Sequence, residues 1–158
     1  MRVAFSGKAR SGKDTSCEYL RDKYGGVILR FSESVYNIAG YIQEHLNFPV
    51  EKDPRLLQLI GEGMRNLYGK DIFARRLAST VNEIGEWVNI FVADLRHKEE
   101  ADILKGLGFR LIRINREGLI PDRDPTHISE IDLDDYDKFD EIYNIKELNE
   151  LYEILKTI

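Results

Sequence analysis

The chain has 158 residues, enough for one domain around a single core, and 42% hydrophobic with 32% charged residues is the composition of an ordinary soluble globular protein. A formal net charge of −5 argues against general nucleic-acid binding, which needs a broad basic face. A lone Cys17 excludes an internal disulfide and a cysteine metal framework; no apolar run approaches the ~20 residues of a membrane span, and the chain opens at once on strand and loop, leaving no room for a signal peptide, so a reducing, cytoplasmic setting is expected.

In chain order, Arg2 to Ser6 reads as a short buried strand. Lys13 to Tyr24 reads as a helix with Cys17, Leu20 and Tyr24 on one face, stopped by Gly25-Gly26. Val27 to Phe31 is a second strand. Val35, Ile38, Ala39, Ile42 and Leu46 recur at helical spacing until Asn47-Phe48-Pro49 ends the element. Asp53-Pro54 has the form of an N-cap with proline at the first helical position, and the helix it starts is expected to turn Leu56, Leu57, Ile60, Met64 and Leu67 inward. Asp71 caps a further helix carrying Phe73, Leu77, Val81 and Ile84. Val88 to Ala93 is a strong strand ending at Asp94, followed by a helix from about 98 to 107, a strand from Phe109 to Asn115, a mostly irregular stretch from Arg116 to about Lys138, a short strand from Glu141 to Ile145 and a Leu-rich terminal helix.

Strands that are mostly apolar throughout and alternate with helices predict a parallel sheet covered on both faces. Five of them, with Gly7-x-x-x-x-Gly12-Lys13 between the first strand and the first helix, are expected to give an α/β domain of the P-loop nucleoside-triphosphate-hydrolase type, strand order 2-3-1-4-5. It occupies residues 1–158 as one unit with a short lid at about 116–138. Ligands in such sheets bind at the carboxyl ends of the strands, which marks Ser6, Phe31, Asp94, Asn115 and Asn144 as the floor of the site.

The loop after the first strand reads Gly7-x-x-x-x-Gly12-Lys13, with strand before and helix after, the context such a motif needs. Glycines let the backbone curl its N–H groups onto phosphate oxygens, the helix adds its positive end, and Lys13 reaches the outer phosphates. The next residue is Asp14, where Ser or Thr is usual, and then Thr15. Asp14 either holds Mg²⁺ or simply suits the helix N-terminus; Thr15 either offers its hydroxyl to phosphate or metal, or bonds back to the helix. Asp94 ends the strongest strand, where a carboxylate serves Mg²⁺ or its waters, or else caps the following helix. Arg96, just beyond, either grips a phosphate through two bonds or pairs with Asp94 or a surface acid. Arg116 and Arg123 flank the irregular stretch, where a lid would bring arginines over a moving phosphoryl group. Gln58, Gly61 and Arg65 share a helical face that could hold a base and a phosphate. Tyr68 and Phe73 offer aromatic rings either to a base or to the core. Three scattered histidines, at 45, 97 and 127, do not suggest zinc.

Together these residues resemble the phage-type deoxynucleoside monophosphate kinases of the P-loop nucleoside monophosphate kinase group. The resemblance runs through Ser6-Gly7-x-x-Arg10-Ser11-Gly12-Lys13-Asp14-Thr15, where the unusual Asp is the family's own letter, Leu57-Gln58-x-x-Gly61, Val92-Ala93-Asp94-Leu95-Arg96, Thr126-His127-Ile128-Ser129-Glu130 and the final strand ending at Asn144. The Gly-Lys-Asp loop is shared with animal-type phosphomevalonate kinases. The chain departs from the pattern after the second strand: Glu33-Ser34-Val35-Tyr36 stands where the family tends to have Gly-Pro-[LI]-Lys.

The resemblance implies transfer of the ATP γ-phosphoryl group to a (deoxy)nucleoside 5′-monophosphate. Gly7, Arg10, Ser11, Gly12, Lys13, Asp14, Thr15 and Asn144 would hold ATP, and Asp14, Thr15 and Asp94 would hold Mg²⁺. Gln58, Arg65, Arg96 and Arg123 would bind the acceptor, and Lys13, Asp14, Asp94, Arg96 and Arg116 would act on the transferred group. Two alternatives stay open: a kinase for another small acceptor, such as phosphomevalonate or dephospho-coenzyme A with Glu33 as base, and a nucleotide-binding regulatory module without turnover. The expected partner is a small-molecule nucleotide, with no nucleic acid or membrane, and a homodimer as the candidate assembly.

Overall fold

The computed structural model describes residues 1–120 and 126–158. Its elements are β1 (Arg2–Ser6), α1 (Lys13–Tyr24), β2 (Val27–Leu29), α2 (Ser32–His45), α3 (Pro54–Tyr68), α4 (Ile72–Ile84), β3 (Ile90–Leu95), α5 (Lys98–Gly106), β4 (Arg110–Arg116), α6 (Ile128–Ile131), β5 (Glu141–Ile145) and α7 (Leu148–Leu155). The strands form one sheet in the order β2-β3-β1-β4-β5, and every neighbouring pair is parallel. This is the α/β architecture, and the strand order, expected from the sequence. Among the described residues no helix is long and apolar enough to cross a membrane.

Alternate residues of each central strand feed two separate cores, as the two-residue side-chain period of a strand requires. Val3, Phe5, Phe91, Ile112 and Ile114 pack with Cys17 and Leu20 of α1 and Leu151 and Leu155 of α7. On the opposite face Ala4, Val92 and Leu111 pack with Leu77 and Val81 of α4, Leu104 of α5, and Leu133 and Tyr136 from the stretch after α6. Each fully buried Leu, Ile or Phe contributes about 1.5–3 kcal/mol relative to exposure, so the two cores fix the sheet and, with it, the strand ends that carry the site.

Several local expectations need adjusting. β2 stops at Leu29, and Phe31 already has helical dihedrals at the head of α2. The cause is Asp94, whose two carboxylate oxygens accept the N–H groups of Phe31 and Ser32, both at 2.9 Å, and so turn the chain into a helix. Asp53 caps α3 as expected, accepting from Arg55 and Leu56 N–H. The inward stripe of α3 is shorter than its spacing implies. Leu57, Ile60 and Met64 pack inward, but Leu67 is 76% exposed. α3 packs chiefly on α2 and α4 rather than on the sheet, and among the described residues its last turn is left uncovered at Leu67. Leu46 and Tyr24, also expected inward, are exposed at the ends of their helices. Asp71 stands at the head of α4 without a side-chain cap bond and pairs with Arg75 instead. Within the stretch expected as a lid, the described residues 126–138 include α6, and Leu133 and Tyr136 lie in the core.

Candidate active site

The loop between β1 and α1 is built around two glycines. Gly7 has φ +141°, and a Cβ there would lie 2.2 Å from the Ile114 carbonyl oxygen on β4, so no other residue fits without moving that strand. Gly12 has φ +109° and would meet Leu151 of α7 at 2.5 Å, so its missing side chain lets the head of α1 settle on α7. Arg10 between them also takes a positive φ, 63°, an uncommon conformation for a side-chain-bearing residue and typical of loops shaped for a ligand.

The first helical hydrogen bond of α1 runs from Ser16 N–H to the Gly12 carbonyl at 2.9 Å, and no side chain caps the helix. The N–H groups of Lys13, Asp14 and Thr15 therefore lie at its open, partly positive end. The Lys13 ammonium curls back into the loop and donates to the carbonyls of Gly7 at 2.8 Å and Lys8 at 2.7 Å. Burial pulls its pKa down to about 8, and Arg96 adds to the depression; the carboxylates of Glu130, Asp14 and Asp94 oppose it. The Ser11 hydroxyl is buried in the same loop with no hydrogen-bond partner among the described residues. An uncapped helix end, an orphaned buried hydroxyl and a lysine resting on its own backbone are what a polyphosphate would satisfy.

Arg96, just past β3, does not pair with Asp94, nor with a surface acid. Its Nη1 donates to Glu130 of α6, whose side chain is only 6% exposed, and to the Ser129 carbonyl at 3.4 Å. Two stretches 34 residues apart in sequence thus meet directly. Asp94 is not the cap of α5 either: it holds the start of α2, while Glu100 accepts the N–H groups of Arg96 and His97, and Asp132 accepts that of Lys98. Glu100 lies in the core; burial drives its pKa up to about 7, against the pull of the Arg96 N–H.

Two of the remaining predicted residues lie away from the loop. Arg65 turns inward, its guanidinium 5.0 Å over the Phe73 ring and 3.5 Å from Glu100, so Phe73 is a core residue already faced by a cation. Gln58 donates to Glu62 at 2.9 Å, and Glu62 meets His127 at 3.4 Å, which ties α3 to the head of α6. Arg116 reaches the carbonyls of Lys146 at 3.4 Å and Arg10 at 3.5 Å, joining the loop to the turn after β5. Asn144 accepts from Asn115 at 3.1 Å across the β4–β5 pair. The back-bonding hydroxyl of α1 belongs to Ser16 rather than Thr15. Arg123 lies outside the described residues.

Arg113 was missed. It is the β4 neighbour of Ser6, its side chain is 11% exposed, and it bonds to Asp134, the Leu133 carbonyl and Asn115. With Ser6, Gly7, Arg96, Ser129 and Glu130 it lines a small pocket beside the phosphate loop. A charge interrupting the apolar run Leu111-Ile112-Arg113-Ile114 was the available signal, because arginine is seldom buried without a paired role. Arg30, at the end of β2, was missed as well; it donates to Asp14 at 2.6 Å.

No family model matches the chain. The chain is 32% identical over 143 residues to "Uncharacterized protein ORF77" of Ictalurid herpesvirus 1 (strain Auburn) and 30% identical over 142 residues to "Uncharacterized protein ORF76" of the same virus. In each case 85% of this chain is aligned, and it spans only 59% and 56% of those proteins' lengths. It is also 26% identical over 158 residues to the "Putative deoxynucleotide monophosphate kinase" of Acanthamoeba polyphaga mimivirus, with 83% of this chain and 81% of that protein aligned. That relation is distant, and a kinase is consistent in kind with the glycine-shaped Gly7–Lys13 loop described above.

The donor set can be weighed against a divalent metal in the same way. Among the described residues no three His, Cys, Asp or Glu side chains converge on a metal-sized site. Asp14, Thr15 and Asp94 instead offer scattered oxygens near the loop. Oxygens of this kind would fit Mg²⁺, which takes one or two protein oxygens and completes its octahedron with phosphate and water.

Proposed function

We propose that the protein transfers the γ-phosphoryl group of ATP to a (deoxy)nucleoside 5′-monophosphate. The observation that carries this reading is the pairing of an uncapped, glycine-shaped loop around Lys13 with Arg96 at the neighbouring strand end, its guanidinium fixed by the buried Glu130. The mimivirus relative supports a kinase; the acceptor is our inference.

In this account the N–H groups of the loop and of the first turn of α1, with Gly7, Arg10, Ser11 and Gly12 shaping the cradle, bind the donor phosphates. Lys13 leaves its two carbonyls for phosphate oxygens and, once there, is held protonated by their charge. Asn144 and Arg116 border the donor on the β4–β5 side. Asp14, Thr15 and Asp94 are the residues that would hold Mg²⁺, which would supply charge neutralisation of the donor phosphates. Arg96 presents its remaining N–H groups to the transferred group, and Glu130 keeps the guanidinium from swinging away. A monophosphate acceptor has a second pKa near 6 and is largely ionised at neutral pH, so no side chain has to act as base. Positioning and charge neutralisation carry the step.

The test is ADP release, measured by a coupled assay, with deoxynucleoside and ribonucleoside monophosphates, phosphomevalonate and dephospho-coenzyme A offered in turn. Turnover with one or more nucleoside monophosphates is expected. Turnover only with a non-nucleotide acceptor, or tight Mg-ATP binding with no turnover at all, overturns the reading. Lys13→Ala is expected to lower turnover about 10³-fold or more while the thermal midpoint stays near wild type.

A further inference from the structure

The cations at the C-terminal edge of the sheet are not equally available. Lys13 is held by two carbonyls of its own loop, Arg113 by Asp134 and the Leu133 carbonyl, and Arg65 by Glu100 beneath it. Arg96 is paired with a carboxylate that is 6% exposed, and pulling it fully away would strand that charge where water can scarcely reach it. Arg30 differs. Its partner Asp14 is 65% exposed and its own side chain 39%, so the pair is screened by water and holds weakly. Arg30 can therefore change partners at almost no cost.

Its position says which partner. The donor cradle lies between β1 and α1, whereas Arg30 ends β2 at the far side of β3, where Leu29 pairs with Val92 and Asp94 follows two residues on. The next residues begin α2, and α2 packs on α3. A phosphate group drawn to Arg30 would thus stand across Asp94 from Lys13, with the rest of its molecule along the α2–α3 wall.

We propose that Arg30 binds the phosphate of the acceptor, and that in the free protein Asp14 holds it in reserve. The proposal rests on the phosphoryl-transfer reading given above and names which residue of this chain receives the acceptor. Exchange has a second consequence. When Arg30 moves to the acceptor, Asp14 loses its counter-charge beside the donor phosphates and becomes free to take a cation. Acceptor and divalent metal therefore favour each other's binding, and by linkage the effect is equal in both directions.

The experiment is direct binding of dAMP, dGMP, dCMP and dTMP, each by equilibrium dialysis without ATP or metal, to wild type, Arg30→Met and Asp14→Asn. A charged hydrogen bond of the ordinary kind predicts that Arg30→Met weakens the bound monophosphate by about 10- to 100-fold. ATP affinity and thermal midpoint should stay close to wild type. Asp14→Asn, which releases Arg30, should tighten the same monophosphate in the absence of metal. Unchanged monophosphate binding in Arg30→Met, or a loss that falls on ATP instead, overturns the assignment to the acceptor while leaving the kinase reading standing. Weakened monophosphate binding in Asp14→Asn overturns the reserve role. Wild-type protein that binds none of the four, nor any of AMP, GMP, CMP and UMP in the same dialysis, overturns both this inference and the acceptor class on which it rests.

Discussion

Arg30 and Arg96 end neighbouring strands, β2 and β3, and each is ion-paired to a carboxylate, yet the two pairs serve opposite ends. Glu130 is nearly inaccessible, so the Arg96 pair is held in a medium of low effective dielectric and behaves as a fixed part. Asp14 is largely in water, so the Arg30 pair is screened and exchangeable. Under the proposed reaction, burial of the carboxylate rather than the arginine itself would separate a group that stays in place from one that can move to meet a ligand.

The most damaging change to that contrast is Arg96→Ala. It should lower kcat/KM by about 10³-fold, the scale of a lost arginine at a transferring phosphoryl group. It should also lower stability by about 3–5 kcal/mol, because the Glu130 side chain, 6% exposed, loses its partner. Adding Glu130→Gln to Arg96→Ala should restore much of the stability and none of the activity, with denaturant titration reading the first and coupled kinetics the second. If the double variant regains turnover, Arg96 acts only as a counter-ion.

Glu130→Gln alone keeps an acceptor for the Arg96 N–H but removes the charge. A stability loss of about 1–2 kcal/mol is expected, together with a fall in kcat that exceeds any rise in the KM for ATP. Equal effects on kcat and on ATP affinity would place Glu130 in the donor cradle rather than behind Arg96.

Glu100, whose carboxylate supports the backbone of Arg96 and His97, gives the pair a pH dependence. Burial raises its pKa from 4.5 to about 7, so the folded protein holds this proton more tightly than the unfolded chain. That contribution to stability is complete below the unfolded value and is lost as pH rises through about 7. His97 works the other way, since its own pKa is lowered by burial, with Arg65 adding to the effect. The difference between proteins isolates Glu100: between about pH 5 and about pH 8 the thermal midpoint of wild type should fall relative to that of Glu100→Gln. Parallel pH profiles would mean that Glu100 ionises freely.

The smallest effect is expected at the exposed pair. Arg30→Met should shift unfolding free energy by less than about 0.5 kcal/mol, and raising salt from about 0.05 M to about 0.5 M should erase even that difference. A loss above about 2 kcal/mol would show that the pair holds the fold together and is not free to exchange.

How much of this was readable in advance divides along the same line. The sheet, its order and both glycines of the loop were legible because apolar runs, turn residues and Gly7-x-x-x-x-Gly12-Lys13 are local signals. The residues of the two stretches Asp94-x-Arg96 and His127-x-Ser129-Glu130 were legible too, but not that they touch. Partner choice is a tertiary matter: Arg96 had nearer acids in sequence, and it is the docking of α6 beside β3 that puts Glu130 next to it. Asp94 shows the same limit, since the N–H groups it satisfies lie at the head of a helix that begins 62 residues earlier. Leu67 and Leu46 were misplaced because helical spacing tells which residues share a face, not how far a neighbouring element extends along it.

The central claim, phosphoryl transfer from the Lys13 loop to a nucleoside monophosphate, is tested most directly by following the label of [γ-³²P]ATP with wild type and Lys13→Ala side by side. The account predicts label in the nucleoside diphosphate with wild type and almost none with Lys13→Ala. Label released only as inorganic phosphate, or equal transfer by the two proteins, would contradict it.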